Sequence, residues 1–220
     1  VALLLAVLMV ASLCACGQKD TGSDLQTVTK GKLTMSTNAQ FPPYESVADD
    51  GKGYEGTGFE GIDIEIAYAL AQKLGLELVV DDMDFDSALS AVQTGKSDIV
   101  AAGVTVTPER QNTMSFTDSY ANGVQVVIVK EGSDIKSIDD LEGKKIGTQR
   151  GTTGFIYCSD DYGDDNVIGF DDGATAVQNL LAGKVDCVVI DNVPAQEYVK
   201  ANAGLTILDT EYANEDYAIG

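Results

Sequence analysis

Only two arginines occur in the sequence, Arg110 and Arg150, and each follows the end of a predicted strand. In open α/β sheets, ligands bind in the loops at the carboxyl ends of the strands. The guanidinium group of Arg110 could hold a carboxylate through two parallel hydrogen bonds. Just before it, Gly103 would let a ligand approach the backbone, and Thr105 offers a hydroxyl group and an N–H group. A surface ion pair, which contributes little to stability, accounts for Arg110 equally well.

A second group of polar residues, Gln149 to Gly154, follows the predicted strand Lys144–Thr148 and opens a helix. The free backbone N–H groups at such a helix N-terminus attract an anion. Asp191 follows the predicted strand Cys187–Ile190, and its carboxylate could accept an ammonium group. A turn or a helix cap before Pro194 is the alternative role for this aspartate.

Aromatic side chains stand close to these polar positions. Asn38 directly follows the predicted strand Lys32–Thr37 and leads to Phe41 and Tyr44. Phe41 and Tyr44 could wall a pocket, or they could pack their loop against the protein body. Phe85 has the same two interpretations.

The overall charge excludes several function classes. The chain has 220 residues, of which 14 are Lys or Arg and 35 are Asp or Glu, giving a formal net charge of −21. Such a charge repels phosphate and argues against a nucleic-acid partner. The absence of histidine excludes Ser-His-Asp and Cys-His catalysis and any zinc site that uses histidine.

The elements that must position these residues alternate between strands and helices, which predicts an α/β fold with mostly parallel sheets. One helix is predicted over Ile62–Leu74 and ends at Gly75, and Asp86 is predicted to cap another that runs through Val92. A third helix is predicted over Ala174–Ala182, and Thr107 is predicted to cap a turn that begins at Pro108. The predicted strands are Lys32–Thr37, Glu77–Val80, Ile99–Ala102, Val124–Val129, Lys144–Thr148, Val167–Phe170, Cys187–Ile190 and Leu205–Leu208.

One passage occurs twice, which indicates two similar units. The segment that begins at Phe85-Asp86 and reaches Gly95-Lys96-Ser97-Asp98 is echoed from Phe170-Asp171 to Gly183-Lys184-Val185-Asp186. Chance repetition of a helix–glycine–strand pattern remains the alternative. Two such units predict two lobes with a cleft between them: residues 31–119, residues 120–211, and a return strand over residues 212–220 that goes back to the first lobe.

The N-terminus is typical of an export signal. Val1–Leu13 is apolar but shorter than the roughly 20 residues that a membrane span needs. We interpret residues 1–15 as part of a signal peptide, Cys16 as a cysteine that receives lipid, and residues 16–30 as a flexible tether. A plain signal peptide is the alternative, and we expect the chain to lack residues at both ends. Export permits a disulfide between Cys158 and Cys187, although buried free thiols suit the apolar strand around Cys187 equally well.

Several motifs at ordered spacing resemble family 3 of the bacterial extracellular solute-binding proteins, the polar-amino-acid receptors of ABC importers. The resemblance extends from about Lys32 to the end of the chain. The motifs are Phe41-Pro42-Pro43-Tyr44-Glu45, Gly61-Ile62-Asp63, Met83-Asp84-Phe85, Gly103-Val104-Thr105-Val106-Thr107-Pro108-Glu109-Arg110, Phe116-Thr117-Asp118, Asp140-Leu141-Glu142-Gly143-Lys144, Gly151-Thr152-Thr153-Gly154, Gly183-Lys184-Val185-Asp186 and Glu215-Asp216-Tyr217.

The resemblance implies a two-lobe type II periplasmic-binding fold with a hinge, which closes on one amino acid. It implies that Arg110 holds the ligand α-carboxylate and that Asp191 holds the α-ammonium group. It also implies that Phe41 and Phe85 sandwich the ligand side chain. Asn38 stands where an acidic residue often binds cationic side chains, which makes a lysine or arginine ligand less expected. The full set of expected ligand-binding residues is Asn38, Phe41, Tyr44, Phe85, Gly103, Val104, Thr105, Arg110, Gln149, Thr152, Thr153 and Asp191.

The function implied is therefore a receptor without catalysis. Its partners would be a free amino acid, the membrane permease of an ABC importer and, through the lipid on Cys16, the membrane itself. We expect a monomer at the outer surface of the cell membrane or in the periplasm, with neither a cofactor nor a metal ion. An enzyme on the same fold, such as a periplasmic dehydratase, and a ligand-sensing domain are the alternatives.

Overall fold

The computed structural model describes residues 25–220. The predictions of a signal peptide, of lipid at Cys16 and of the first part of a tether fall outside these residues. The strands are β1 (Lys32–Thr37), β2 (Gln40–Phe41), β3 (Glu45–Val47), β4 (Phe59–Glu60), β5 (Glu77–Asp82), β6 (Ile99–Val100), β7 (Ala121–Lys130), β8 (Ile146–Gln149), β9 (Val167–Phe170), β10 (Cys187–Asp191), β11 (Leu205–Ile207) and β12 (Ala213–Tyr217). The α-helices are α1 (Ile62–Leu74), α2 (Phe85–Gln93), α3 (Pro108–Gln111), α4 (Thr153–Tyr162), α5 (Gly173–Leu181) and α6 (Asn192–Ala201).

The first lobe is built on a parallel sheet in the order β5-β1-β6. Helix α1 covers it with the buried residues Ile64 and Ala67, which pack with Met35 of β1. Gly75 ends this helix in the left-handed conformation, with φ of 71°, which a glycine adopts without steric cost. The strand β1 and the helix α1 therefore have the bounds that the sequence predicts.

The second lobe is built on a sheet in the order β11-β7-β10-β8-β9, with β12 paired to the first half of β7. Successive residues of β7 point to opposite faces, so that Val126 and Ile128 enter one core while Val127 and Val129 enter another. A sheet covered on both faces explains the unbroken apolar run in this strand. The sheet is mixed where the sequence predicts a mostly parallel one, because β7 runs antiparallel to β10, β11 and β12.

Two neighbouring segments connect the lobes. Strand β7 begins at Ala121 and pairs with Tyr217 at the end of β12. Beyond Tyr217, Gly220 and Val100 of the first lobe exchange two backbone hydrogen bonds, of 2.8 and 3.0 Å. The segment predicted as a return strand thus pairs within the second sheet first and bonds to the first lobe afterwards. The exact division of the chain into residues 31–119 and 120–211 stays a prediction.

Several local expectations are changed by the structure. Asp86 does not cap α2: Asp84 occupies the N-cap position, and Asp86 lies in the first turn of the helix. The buried strand predicted over Ile99–Ala102 ends at Val100. Cys158 and Cys187 are free and buried, and burial raises the pKa of each thiol to about 12. No helix between residues 25 and 220 has the length and apolar character that a bilayer span requires.

Candidate functional site

A cavity lies between the two lobes, and every expected ligand-binding residue lines it except Tyr44 and Val104. Val104 is buried in the first-lobe core, and Tyr44 lies behind Phe41. The lining residues are Asn38, Phe41, Glu45, Phe85, Ala102, Gly103, Thr105, Arg110, Gln125, Gln149, Thr152, Thr153, Ile190, Asp191 and Tyr217.

Arg110 reaches the cavity from the short helix α3. Thr107 caps this helix as predicted, because its hydroxyl accepts a hydrogen bond from the backbone N–H of Arg110. The guanidinium group donates to the carbonyl oxygen of Thr105 at 2.8 Å and to that of Gly151, on the second lobe, at 3.2 Å. It also lies over the ring of Phe85, with 5.4 Å between Cζ and the ring centroid.

The charge of Arg110 has no carboxylate within 4.0 Å anywhere in residues 25–220, although only 8% of the residue is exposed. Burial lowers the pKa of Arg110, and the more distant carboxylate of Glu215 offsets only part of this shift. A buried cation without an ion-pair partner is costly. The guanidinium group can therefore accept an anion as its ion-pair partner in this corner of the cavity.

Asp191 supplies the opposite charge from the second lobe, and it is only 1% exposed. One carboxylate oxygen accepts hydrogen bonds from the backbone N–H of Val124 and from the hydroxyl of Tyr217, both at 3.0 Å. The other oxygen accepts from the N–H of Val193 at 2.9 Å, so Asp191 caps α6 as well as lining the cavity. Burial raises its pKa, while these hydrogen bonds lower it. Within the described chain, no lysine or arginine pairs with Asp191.

Aromatic rings form walls of the cavity. Phe41 packs against the core of the second lobe, although it belongs to the first. Its ring stacks on Tyr44 with centroids 5.7 Å apart, and Tyr44 meets Tyr217 edge-on at 5.5 Å. Phe85, under the guanidinium group, supplies another apolar surface.

Amide and hydroxyl groups meet across the cleft. Gln149 of the second lobe donates to the side-chain oxygen of Asn38 at 2.9 Å, and the amide of Asn38 donates to the carbonyl of Met83 at 2.9 Å. The hydroxyls of Thr105 and Thr153 lie 3.4 Å apart. The lobes are therefore in contact around the cavity through groups that could also bind a polar ligand.

Sequence reasoning missed a buried acid beside this site. Glu215 accepts hydrogen bonds from Thr105 at 3.1 Å and from Gln125 at 2.9 Å. Gln125 is a buried polar residue between Val124 and Val126 of strand β7, which is a signal of a buried polar contact. Glu215 stands in the Glu-Asp-Tyr motif. The sequence around this motif does not predict its contact with Thr105, because the two residues are 110 positions apart in the chain.

Glu45 was also missed, although it belongs to a motif that was singled out. Its carboxyl group is completely buried, and desolvation, followed by the nearby charge of Asp63, raises its pKa well above the usual range. Asp63 accepts hydrogen bonds from the backbone N–H of Gly103 and from the hydroxyl of Tyr120, both at 2.9 Å. This carboxylate fixes the Gly103 loop where it faces the cavity.

Comparison with protein families agrees with this geometry. The model for "Bacterial extracellular solute-binding proteins, family 3" matches residues 33–181. Among individual proteins, the arginine-binding extracellular protein ArtP of Bacillus subtilis is 35% identical over 210 residues, covering 92% of this chain and 76% of ArtP. The L-cystine-binding protein TcyJ of Escherichia coli is 30% identical over 219 residues, covering 98% of this chain and 80% of TcyJ.

Solved structures share the fold. The arginine-bound form of truncated ArgBP from T. maritima has a TM-score of 0.80 and 34% identity, covering 87% of this chain and 88% of that one. An ancestral arginine-binding protein bound to glutamine has a TM-score of 0.78 and 40% identity, covering 87% and 84% of the respective chains. The chain therefore has the two-lobe type II periplasmic-binding fold.

Proposed function

The chain belongs to family 3 of the bacterial extracellular solute-binding proteins, and from this premise we propose that it is a receptor for one free polar amino acid. It would bind the amino acid between its lobes and deliver it to the permease of an ABC importer. The observation that carries the proposal is the pair formed by Arg110 and Asp191. These opposite charges are buried in one cavity, and neither has an ion-pair partner in the described part of the chain.

The α-amino acid zwitterion complements this pair. Its carboxylate would accept two parallel hydrogen bonds from the N–H groups of the Arg110 guanidinium. Thr105 and Thr152 would supply further donors. Its ammonium group would donate to Asp191, which already faces the cavity as a carboxylate held by three hydrogen bonds. Gly103 allows the ligand main chain to lie close to the protein backbone.

The side chain of the ligand would lie between Phe41 and Phe85. Asn38, Gln149 and Thr153 offer amide and hydroxyl groups to its polar end. The relatives reported above are named for arginine and cystine, and an ancestral arginine-binding protein was solved with glutamine. What these ligands share is the α-amino acid backbone and a polar side chain, so the proposed class is the polar amino acids.

Binding would be coupled to closure of the two lobes. Arg110 donates across the cleft to Gly151, and Gln149 donates across it to Asn38, so the closed form has contacts that an open form lacks. A ligand that bridges the lobes adds to these contacts and shifts the population toward the closed form. The permease would then engage the closed receptor.

Binding without catalysis is part of the proposal, and the names of the relatives reported above support it over an enzyme on the same fold. Incubation of the protein with its ligand, followed by mass spectrometry, should return the ligand unchanged.

Export with lipid on Cys16, as a monomer on the outer surface of the membrane, is also proposed. Metabolic labelling with palmitate should mark the wild-type chain and not the Cys16→Ala variant.

Calorimetric titration of the exported chain carrying Cys16→Ala tests the central claim. The panel consists of L-arginine, L-lysine, L-histidine, L-glutamine and L-cystine, each with its D-enantiomer as a matched control. At least one L-amino acid should bind with one site and a Kd of about 1 μM or below, which corresponds to about −8 kcal/mol. Its N-acetyl derivative should not bind, because it has no ammonium group for Asp191. Absence of binding to this panel and to the remaining common amino acids, titrated in the same way, would reject the function.

A further inference from the structure

The end of strand β12 carries a tyrosine whose place in the molecule suggests more than packing. The carbonyl of Tyr217 accepts the N–H of Tyr120, and its backbone bridges Thr105 of the first lobe. Tyr217 also pairs with Ala121 of β7, so its main chain belongs to one connecting segment and pairs with the other. The residue thus stands at the junction of the lobes, beside the cavity that it lines.

The ring of Tyr217 is held in one orientation. It is 1% exposed and meets the ring of Tyr44 edge-on. A methyl group at Gly123 would come within 2.5 Å of its Cζ. The missing side chain at Gly123 therefore leaves the space that the ring fills, and the direction of the hydroxyl group follows from that fit.

The hydroxyl group donates to Asp191 at 3.0 Å. The other two donors to this carboxylate, on Val124 and Val193, are backbone N–H groups that belong to β7 and α6. Tyr217 is thus the side-chain donor to Asp191, and it approaches from a strand that also contacts the first lobe. A buried carboxylate depends on such donors to remain ionised and oriented.

We propose that Tyr217 is a positioning residue, whose hydroxyl group holds Asp191 as a carboxylate directed at the ammonium group of the ligand. The inference rests on the proposed function for the identity of that ligand. The donor adds to the two backbone bonds and offsets the burial that otherwise favours the neutral acid. Tyr217 also contacts the first lobe. The residue that joins the lobes therefore also orients the Asp191 carboxylate of the second lobe.

Substitution Tyr217→Phe removes the hydroxyl group and keeps the ring that fills the space beside Gly123. The affinity for the amino acid identified by titration should fall about tenfold at pH 7, a size typical of one hydrogen bond to a charged group. The loss should be larger at pH 5 than at pH 8, because Asp191 without this donor takes up a proton at a higher pH. The other titratable groups that face Asp191 are Glu215 and Tyr44, and they are the same in both proteins.

The matched control is Tyr212→Phe, since Tyr212 also donates its hydroxyl to an aspartate, Asp161, but lies outside the cavity lining. Its affinity should stay within twofold of wild type at every pH. A Tyr217→Phe protein with an unchanged affinity, or with a loss that is equal at pH 5 and pH 8, would overturn the proposal. Thermal unfolding monitors whether each variant remains folded.

Carboxyl ¹³C NMR of the protein without ligand provides a second measurement that does not depend on binding. The Asp191 resonance, assigned with Asp191→Asn, should titrate at a higher pH in the Tyr217→Phe protein than in wild type. An identical titration in the two proteins would contradict the role of Tyr217 even if amino-acid binding is established. A shifted titration in a protein that binds no amino acid would sustain the link between Tyr217 and Asp191 while rejecting the proposed function.

Discussion

Replacing Arg110 by alanine is the most direct perturbation of the proposed site. The change removes a buried cation that lacks a carboxylate partner in the described chain, together with its bonds to the carbonyls of Thr105 and Gly151. The loss of these bonds and of the contact with Phe85 destabilises the fold, while the relief of a desolvated charge stabilises it. Because the two effects oppose each other, we expect the variant to fold.

The effect on binding should be much larger than the effect on folding. The guanidinium fork would donate two charge-assisted hydrogen bonds to the ligand carboxylate, each contributing about 1.5–3 kcal/mol. Together they amount to about 3–6 kcal/mol, or roughly 10²- to 10⁴-fold in Kd. Arg110→Lys keeps the charge but loses the fork, so its affinity should lie between those of wild type and Arg110→Ala.

Calorimetric titration with the preferred amino acid measures these losses, and thermal unfolding confirms that each protein is folded. Arg150→Ala is the matched control, because it removes the other arginine of the chain. That side chain is 57% exposed and forms a 3.5 Å ion pair with Asp171, so it should contribute little. Its affinity should stay within twofold of wild type. A folded Arg110→Ala protein that binds as tightly as wild type would refute the assignment of the carboxylate site.

Three further predictions concern groups around the cavity. Asp191→Asn should weaken binding at least tenfold at pH 7. The affinity of the wild-type protein should also fall on acidification, because a protonated Asp191 no longer attracts the ammonium group. Calorimetry over a pH series measures both effects. Tyr198→Phe removes a 2.9 Å hydrogen bond to the carbonyl of Gln40 across the cleft. The affinity for every amino acid that binds should therefore fall by the same factor of about two to ten. A changed order of preference among the amino acids would contradict this role. Cys158 and Cys187 should resist a thiol reagent at pH 8 in the folded protein and react after unfolding, because burial raises both pKa values to about 12; rapid labelling of the native chain would count against it.

The parts of this molecule that could be predicted from sequence are those governed by local rules. The helix Ile62–Leu74 follows from an apolar stripe and a terminal glycine, and strand β1 has apolar residues at the alternate positions Leu33 and Met35. The capping of α2 was predicted at the wrong aspartate because Asp84 and Asp86 are both suitable residue types. Only the register of the helix in the folded chain selects between them.

The errors and omissions at the site arise from orientation and from distance along the chain. Thr105 lines the cavity, whereas the adjacent residue Val104 is buried in the first-lobe core. Thr105 forms a β-bridge with Tyr217, and in such extended backbone adjacent side chains point to opposite sides. The contact between Gln125 and Glu215 joins residues 90 positions apart, and no local sequence pattern predicts it.

Under the proposed function, the placement of the two charges couples ligand binding to closure of the lobes. Arg110 is supplied by the first lobe and Asp191 by the second, so neither lobe alone offers both partners of a zwitterion. A ligand held by one charge in an open form leaves its other charge in water, and only closure brings the second partner to it. The free energy of that second contact is then available only in the closed form, and a ligand shifts an equilibrium by as much as its affinities for the two states differ. A molecule that lacks either the carboxylate or the ammonium group would not bind the closed form more tightly than the open form through this second contact. It would therefore favour closure less, even where its side chain fits between Phe41 and Phe85.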